Sequence, residues 1–220
     1  MDSGHVFVAG GTGYIGQRLI RALIPRGYQV TAVVRPGSES KLPPGCKPLI
    51  GDVLNADSYA AHLSSDQTFV QMVGVAHPGP AKADQFLDID ERSAMEAIRV
   101  ARAASIRHFI YISVAHPAPT MQAYVAVRSR CETAIWEAKL NATILRPWYV
   151  LGPGHHWPRL LIPFYWLAER IPSMREGARR LGLVTIDQMV AALVQAVEHP
   201  AHGIEIVDVP RIRRAVLARL

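Results

Sequence analysis

The chain has 220 residues, half of them hydrophobic and 19% charged, which excludes wholesale disorder and gives ample length for one core with an elaboration. Its 24 basic and 18 acidic residues leave a formal charge of +6, a balance that invites a polyanion or a membrane surface as partner. Four of the basic residues, Arg211, Arg213, Arg214 and Arg219, stand in the last ten positions with no acid among them. The excess therefore reads as a property of the tail, the body is nearly balanced, and no nucleic-acid partner is expected.

Short β-branched runs alternate with longer helical stretches. His5–Ala9 reads as a buried strand and Tyr14–Arg26 as a helix, with Ile15, Leu19 and Leu23 at helical spacing. Gln29–Val34 and Lys47–Ile50 follow as strands, then Ala56–Leu63 as a short helix and Thr68–Val75 as a fourth strand. Asp84–Ser105 is a long helix with Leu87, Ala94, Ile98 and Ala101 along one face. His108–Ser113 is a strand, Met121–Lys139 a helix and Thr143–Arg146 a strand. After Pro147 the pattern changes: Leu160–Ala168 is densely apolar, Gln188–Glu198 is a short amphipathic helix and Ile204–Val207 a last strand. This alternation predicts an α/β fold, a doubly wound parallel sheet with a small C-terminal substrate cap. No apolar run approaches the ~18 residues of a transmembrane helix. The first strand-like run begins at His5, so no secretory leader is expected. Cys46 and Cys131 have no CxxC partner and read as free thiols of a reducing, cytoplasmic compartment.

The strongest local signal is Gly10-Gly11-Thr12-Gly13-Tyr14-Ile15-Gly16, which follows the first strand and opens the first helix. Gly10 permits a tight turn, Gly13 lets a pyrophosphate approach the backbone, and Gly16 lets the helix pack closely on the strand. The helix start then offers free N–H groups to phosphates. Residues 1–147 accordingly read as a dinucleotide-binding core and 148–220 as a cap excursion that returns to it, together one NAD(P)-binding domain. An NAD site usually has Asp or Glu at the end of the second strand to bind the ribose 2′-hydroxyl. Here Val34 is followed by Arg35-Pro36-Gly37-Ser38, so Arg35 predicts preference for NADP(H), with NAD(H) as the other cofactor the site would take.

These motifs, taken in order, resemble the short-chain dehydrogenase/reductase superfamily in its extended and atypical branches, over roughly residues 5–209. Asp52 and Val53 stand where that family contacts adenine, and Val73 and Gly74 where it lines the adenosine side. Ser113 closes the fifth strand at the family's catalytic serine position. Tyr124-Val-Ala-Val-Arg128 stands where the family has Tyr-x-x-x-Lys, and Leu145-Arg146-Pro147 resembles the segment beside the nicotinamide. The resemblance implies a Tyr124 that protonates a carbonyl oxygen while a hydride arrives, a Ser113 that orients that carbonyl, and a cation that tunes the tyrosine. Tyr124 and Arg128 are four apart on a helix and share a face, and a neighbouring cation favours the phenolate. Arg keeps the charge of the family's Lys but is a rigid fork that does not deprotonate, so a relay through an amine is lost.

Trp148, Tyr149 and Trp157 follow the sixth strand and, with His116, read as a pocket for an apolar substrate. His77, His116, His155 and His156 have no carboxylate or Cys at ligand spacing, so no metal is expected. The leading expectation is an NADP(H)-dependent oxidoreductase acting on a carbonyl or alcohol of a small, rather apolar substrate. A non-catalytic NAD(P)-binding sensor or accessory protein is the alternative that Arg128 favours. A nucleotide-sugar epimerase or dehydratase ranks third, because little chain follows Pro147 to build a large cap. The long helices could pair two copies as a homodimer.

Overall fold

The computed structural model describes residues 4–76, 78–118, 120–153 and 180–217. Its strands are β1 (His5–Ala9), β2 (Gln29–Val34), β3 (Lys47–Ile50), β4 (Thr68–Gln71), β5 (His108–Ile112), β6 (Ala142–Leu145), β7 (Tyr149–Leu151), β8 (Leu183–Thr185) and β9 (Ile204–Val207). Its main helices are α1 (Tyr14–Leu23), α2 (Arg92–Ala103), α3 (Gln122–Glu137), α4 (Ile186–Glu198) and α5 (Val209–Arg214). Seven strands form one sheet in the order β3-β2-β1-β4-β5-β6-β9, every neighbouring pair parallel, while β7 and β8 make a separate parallel pair.

Strands of such a sheet are covered on both faces and need apolar side chains on both. On one face Val6, Val8, Val70, Ile110 and Leu145 pack with α1 and α4. On the other, Phe7, Phe69, Phe109, Tyr111 and Ile144 pack with α2 and α3. Phe7, Phe69 and Phe109 form a ladder across β1, β4 and β5 with ring centroids 5.2 and 5.4 Å apart. Each such ring buried contributes about 1.5–3 kcal/mol. The result is the doubly wound Rossmann-like sheet that the alternation predicts, and the C-terminal helical region is consistent with a substrate cap. The strand order reverses between β1 and β4, which opens a crevice at their carboxyl ends, where ligands of such sheets bind.

Several boundaries differ from the sequence reading, for local reasons. Ala56–Leu63 is not one helix but two 3-10 turns, Ala56–Ser58 and Ala60–His62. The fourth strand stops at Gln71 rather than Val75: Met72 still donates its N–H to Ala9, but β1 turns away at Gly10 and leaves residues 73–76 without a strand partner. The long helix runs through a π-helical stretch, Phe86–Glu91, before α2. That stretch shifts the register, so Phe86 and Asp90 are buried while Leu87, expected inside, is 48% exposed. The C-terminal helix starts at Ile186, two residues early, because Thr185 and Gln188 close a capping box. The basic tail is largely folded: Arg211 and Arg213 lie in α5, Arg211 bonded to Glu205 and the Ile206 carbonyl, Arg213 donating to the Leu183 carbonyl. His77, His155, His156, Trp157, the run Leu160–Ala168 and Arg219 lie outside the described residues. Among those described, no helix is long and apolar enough to cross a membrane.

Candidate functional site

The glycine-rich turn is built as its spacing requires. Gly10 has φ +92°, and a Cβ there would stand 2.9 Å from the Met72 carbonyl carbon, so this position needs glycine twice over. Gly13 donates its N–H to the Gly10 carbonyl and caps α1. Gly16 sits in the first turn of α1 directly over the Gly10 carbonyl, and any Cβ would collide with it. Gly11 is buried against Ala32 and Ile20. The side chains of Tyr14 and Ile15 pack against the α1–α4 core, not into the crevice, with the Tyr14 hydroxyl lying against Gly152.

The crevice holds a cavity of about 510 Å³. Gly10, Thr12 and Gly13 line it from the end of β1, Arg35, Ser38 and Lys41 from beyond β2, Asp52 and Val53 from beyond β3, and Val73 and Gly74 from beyond β4. The Asp52 carboxylate accepts the Leu54 N–H at 2.9 Å and shapes the loop after β3. Arg35, Lys41 and Lys82 are the cations on the wall and Asp52 its carboxylate. The glycine cradle, which a Cβ would fill, and this surplus of cations fit a dinucleotide with its phosphates. Lys41 and Lys82 were not singled out by sequence. Lys41 comes near Arg35 only through the 3-10 turn Glu39–Lys41, and Lys82 reaches the cleft with Nζ 2.6 Å from the Ala76 carbonyl.

On the neighbouring side of the crevice the expected catalytic residues are close to one another but differently engaged. Tyr124 is half-buried in the first turn of α3, with its ring 5.0 Å from that of Phe86. The Arg128 guanidinium lies 5.0 Å from the Tyr124 ring, as the four-residue spacing predicts. Arg128 is not presented to solvent, however. It is 4% exposed, paired with Asp90 Oδ1 at 2.5 Å and donating to the Tyr111 hydroxyl and the Ile112 carbonyl. Its Nε is buried without a hydrogen-bond partner. Burial pushes the Asp90 carboxyl up from the usual range, and Arg128 and the Val75 amide oppose the push. Burial also drives the Tyr111 phenol well above its ordinary value.

Ser113, expected to face a substrate carbonyl, is instead 1% exposed and donates to Glu132 Oε1 at 2.5 Å. Glu132 also holds Arg146 through both carboxylate oxygens, and His116 Nε2 is 3.3 Å away. The serine lies too deep because it ends a strand buried on both faces, where a hydroxyl needs an internal partner. Pro147 is buried, with its carbonyl accepting the Ala115 N–H. Trp148 packs on the α1–α4 core and meets the Tyr149 ring edge-on at 5.5 Å. Sequence reasoning missed Asp90, Tyr111 and Glu132, and gave Arg146 a place in a motif but no partner. Glu132 had a readable signal, since Tyr124, Arg128 and Glu132 repeat every four residues along one face of α3. Among the described residues, no cluster of His, Cys, Asp or Glu could hold a metal ion.

Residues 10–155 match the protein-family model described as NAD(P)H-binding. The ceramide reductase of Caulobacter vibrioides is 26% identical over 216 residues, taking in 94% of this chain and 66% of that protein. The 3-diazoavenalumate denitrifying reductase of a Streptomyces species is 26% identical over 230 residues, 90% of this chain and 74% of that one. Among solved structures, a short-chain dehydrogenase/reductase superfamily protein from Agrobacterium tumefaciens with bound NAD superposes with a TM-score of 0.66 at 17% identity, over 93% of this chain and 77% of that one. That last likeness is one of fold.

Proposed function

The chain belongs to the NAD(P)H-binding family, and on that premise we propose that it is an NADP(H)-dependent oxidoreductase acting on a carbonyl or alcohol of a small, rather apolar substrate. The observation that carries the cofactor choice is the wall of the cavity beyond β2. Arg35, Ser38 and Lys41 line it, and no carboxylate stands there to bind a 2′-hydroxyl. Two cations and a hydroxyl suit a 2′-phosphate, which an Asp or Glu would repel. A dinucleotide held by the Gly10–Gly16 turn, Arg35 and Asp52 would supply hydride chemistry at the substrate carbonyl. Tyr124 would give its proton to the carbonyl oxygen, so that the substrate leaves as the alcohol, and its phenolate would regain a proton from solvent. Phe86 and Arg128 fix the phenol's position. The two relatives named as reductases support reductive chemistry, and the one named for ceramide supports an apolar substrate. The free thiols Cys46 and Cys131 support a cytoplasmic setting.

A second reading, a dinucleotide-binding sensor without turnover, is favoured by one observation. Ser113 and Arg128 spend their polar groups on Glu132 and Asp90. Titration with NADPH and NADH, followed by NADPH oxidation against aldehydes, ketones and quinones, separates the two. We expect NADPH to bind at least tenfold more tightly than NADH. A carbonyl substrate should be turned over by the wild type and at least 100-fold more slowly by Tyr124→Phe. Equal affinity for the two cofactors would overturn the NADP assignment. Tight binding with no oxidation across the panel would leave the sensor.

A further inference from the structure

The buried Asp90 belongs to no part of the chemistry just described, yet it sits between the cofactor cavity and the Tyr124 side of the crevice. Its two oxygens point to different tasks. Oδ1 pairs with Arg128 Nη2 at 2.5 Å, and Oδ2 accepts the Val75 N–H at 2.9 Å. Asp90 is 0% exposed. Gly74, which lines the cavity, lies directly on this pair: a Cβ there would stand 2.5 Å from Arg128 Nη2 and 3.0 Å from Asp90 Oδ1. Residues 73–76 have lost their strand partners, so in this stretch the Val75 amide is tied to the helical layer through Asp90 rather than to the sheet.

We propose that Asp90 is a positioning residue for the dinucleotide: locked by Arg128, its carboxylate fixes the Val73–Ala76 segment as a preset rail along the cavity. This deepens the reading of the cavity as a dinucleotide site and rests on it. The argument is one of reach and charge. A carboxylate can accept from two donors at once, whereas an amide offers one accepting oxygen and places its NH₂ against whatever faces the other. Arg128 in turn is fixed by Tyr111 and Ile112 at the end of β5. The rail therefore inherits the rigidity of the sheet centre without being part of the sheet. A preset segment costs a ligand less ordering on binding.

A purely structural ion pair and a positioning pair respond differently to removal. Replacing both members of a buried pair with apolar groups of similar volume is often neutral for stability. The double variant Asp90→Leu/Arg128→Met should therefore keep a melting temperature near that of the wild type. Its NADPH dissociation constant should still rise at least tenfold, because Val75 has lost its anchor. Asp90→Asn alone should raise that constant at least tenfold and lower the melting temperature as well. Recovery of NADPH affinity together with stability in the double variant would reduce Asp90 to a structural partner and overturn the proposal. So would an Asp90→Asn protein that binds NADPH as the wild type does.

If the variants do not fold, hydrogen exchange on the wild-type chain decides. The Val75 amide should be protected without ligand and gain no more than twofold on adding NADPH. Rapid exchange of that amide in the ligand-free protein would overturn the rail. This measurement stands apart from the functional reading: failure of the wild type to bind either dinucleotide would sink the cofactor assignment, while the exchange still reports whether Asp90 holds the segment.

Discussion

The two sides of the crevice are built from different materials. On the glycine side, the ends of β1 to β4 offer backbone: bare N–H groups, a φ of +92° at Gly10 and a helix start. On the tyrosine side, the end of β5 and the start of α3 are held by charged side chains, the buried pair Asp90 with Arg128 and the buried Glu132 with the partly exposed Arg146. A phosphate cradle made of backbone tolerates almost no added atom, while Arg35 and Lys41 add side-chain charge further along the same cavity. A site made of buried ion pairs tolerates shape changes but not the loss of one partner, since a lone buried charge is expensive. The same crevice is thus specified by steric exclusion on one side and by charge balance on the other.

Five substitutions would break or sharpen that contrast. Glu132→Gln leaves the partly exposed Arg146 without its counter-charge and should cost about 3 kcal/mol of stability, read as a large fall in melting temperature. NADPH affinity of the folded fraction should stay within about twofold; a larger loss would mean the two sides are not separable. Gly10→Ala should do the reverse: it forces an unfavourable φ and a clash with Met72, so affinity should drop about 100-fold, roughly 3 kcal/mol, by fluorescence titration. Unchanged affinity would show that the turn is not the phosphate cradle. Arg35→Ala and Lys41→Ala should each raise the NADPH dissociation constant about tenfold, near 1.4 kcal/mol, and leave NADH unaffected. A parallel loss for both cofactors would move these cations away from the 2′ position. The smallest effect is expected of Ser113→Ala, about 1 kcal/mol of stability for one lost hydrogen bond, with turnover within fivefold. A 100-fold fall in kcat at unchanged cofactor affinity would restore Ser113 to the chemistry.

The glycine side was legible from sequence because its requirements are local: three glycines within seven residues carry both the turn and the helix contact. Arg35 was legible because the end of β2 lacks an acid. The tyrosine side was legible only in outline. Tyr124 and Arg128 share a helix face as the spacing implies, but what Arg128 touches depends on Asp90, 38 positions away. Asp90 itself is turned inward by the π-helical stretch Phe86–Glu91, which breaks the period that put Leu87 in the core. What Ser113 touches was not legible, because family position says where a residue stands in the chain, not how deep its hydroxyl lies. The charge excess was read as a property of the tail, and there Arg211 and Arg213 are engaged by Glu205 and by backbone carbonyls.

The small β7–β8 pair has a consequence for how such a chain can change. Tyr149 lies beside Leu183 and Leu151 beside Thr185, so the two strands meet in parallel register. Leu151 and Leu183 are separated by only two residue steps along the strand direction, about 7 Å. Because β7 and β8 bond to each other in a sheet of their own, a change of register within the pair would leave the register of the seven-stranded sheet untouched. The pair is a clasp that sets where β8, and α4 directly after it, begin.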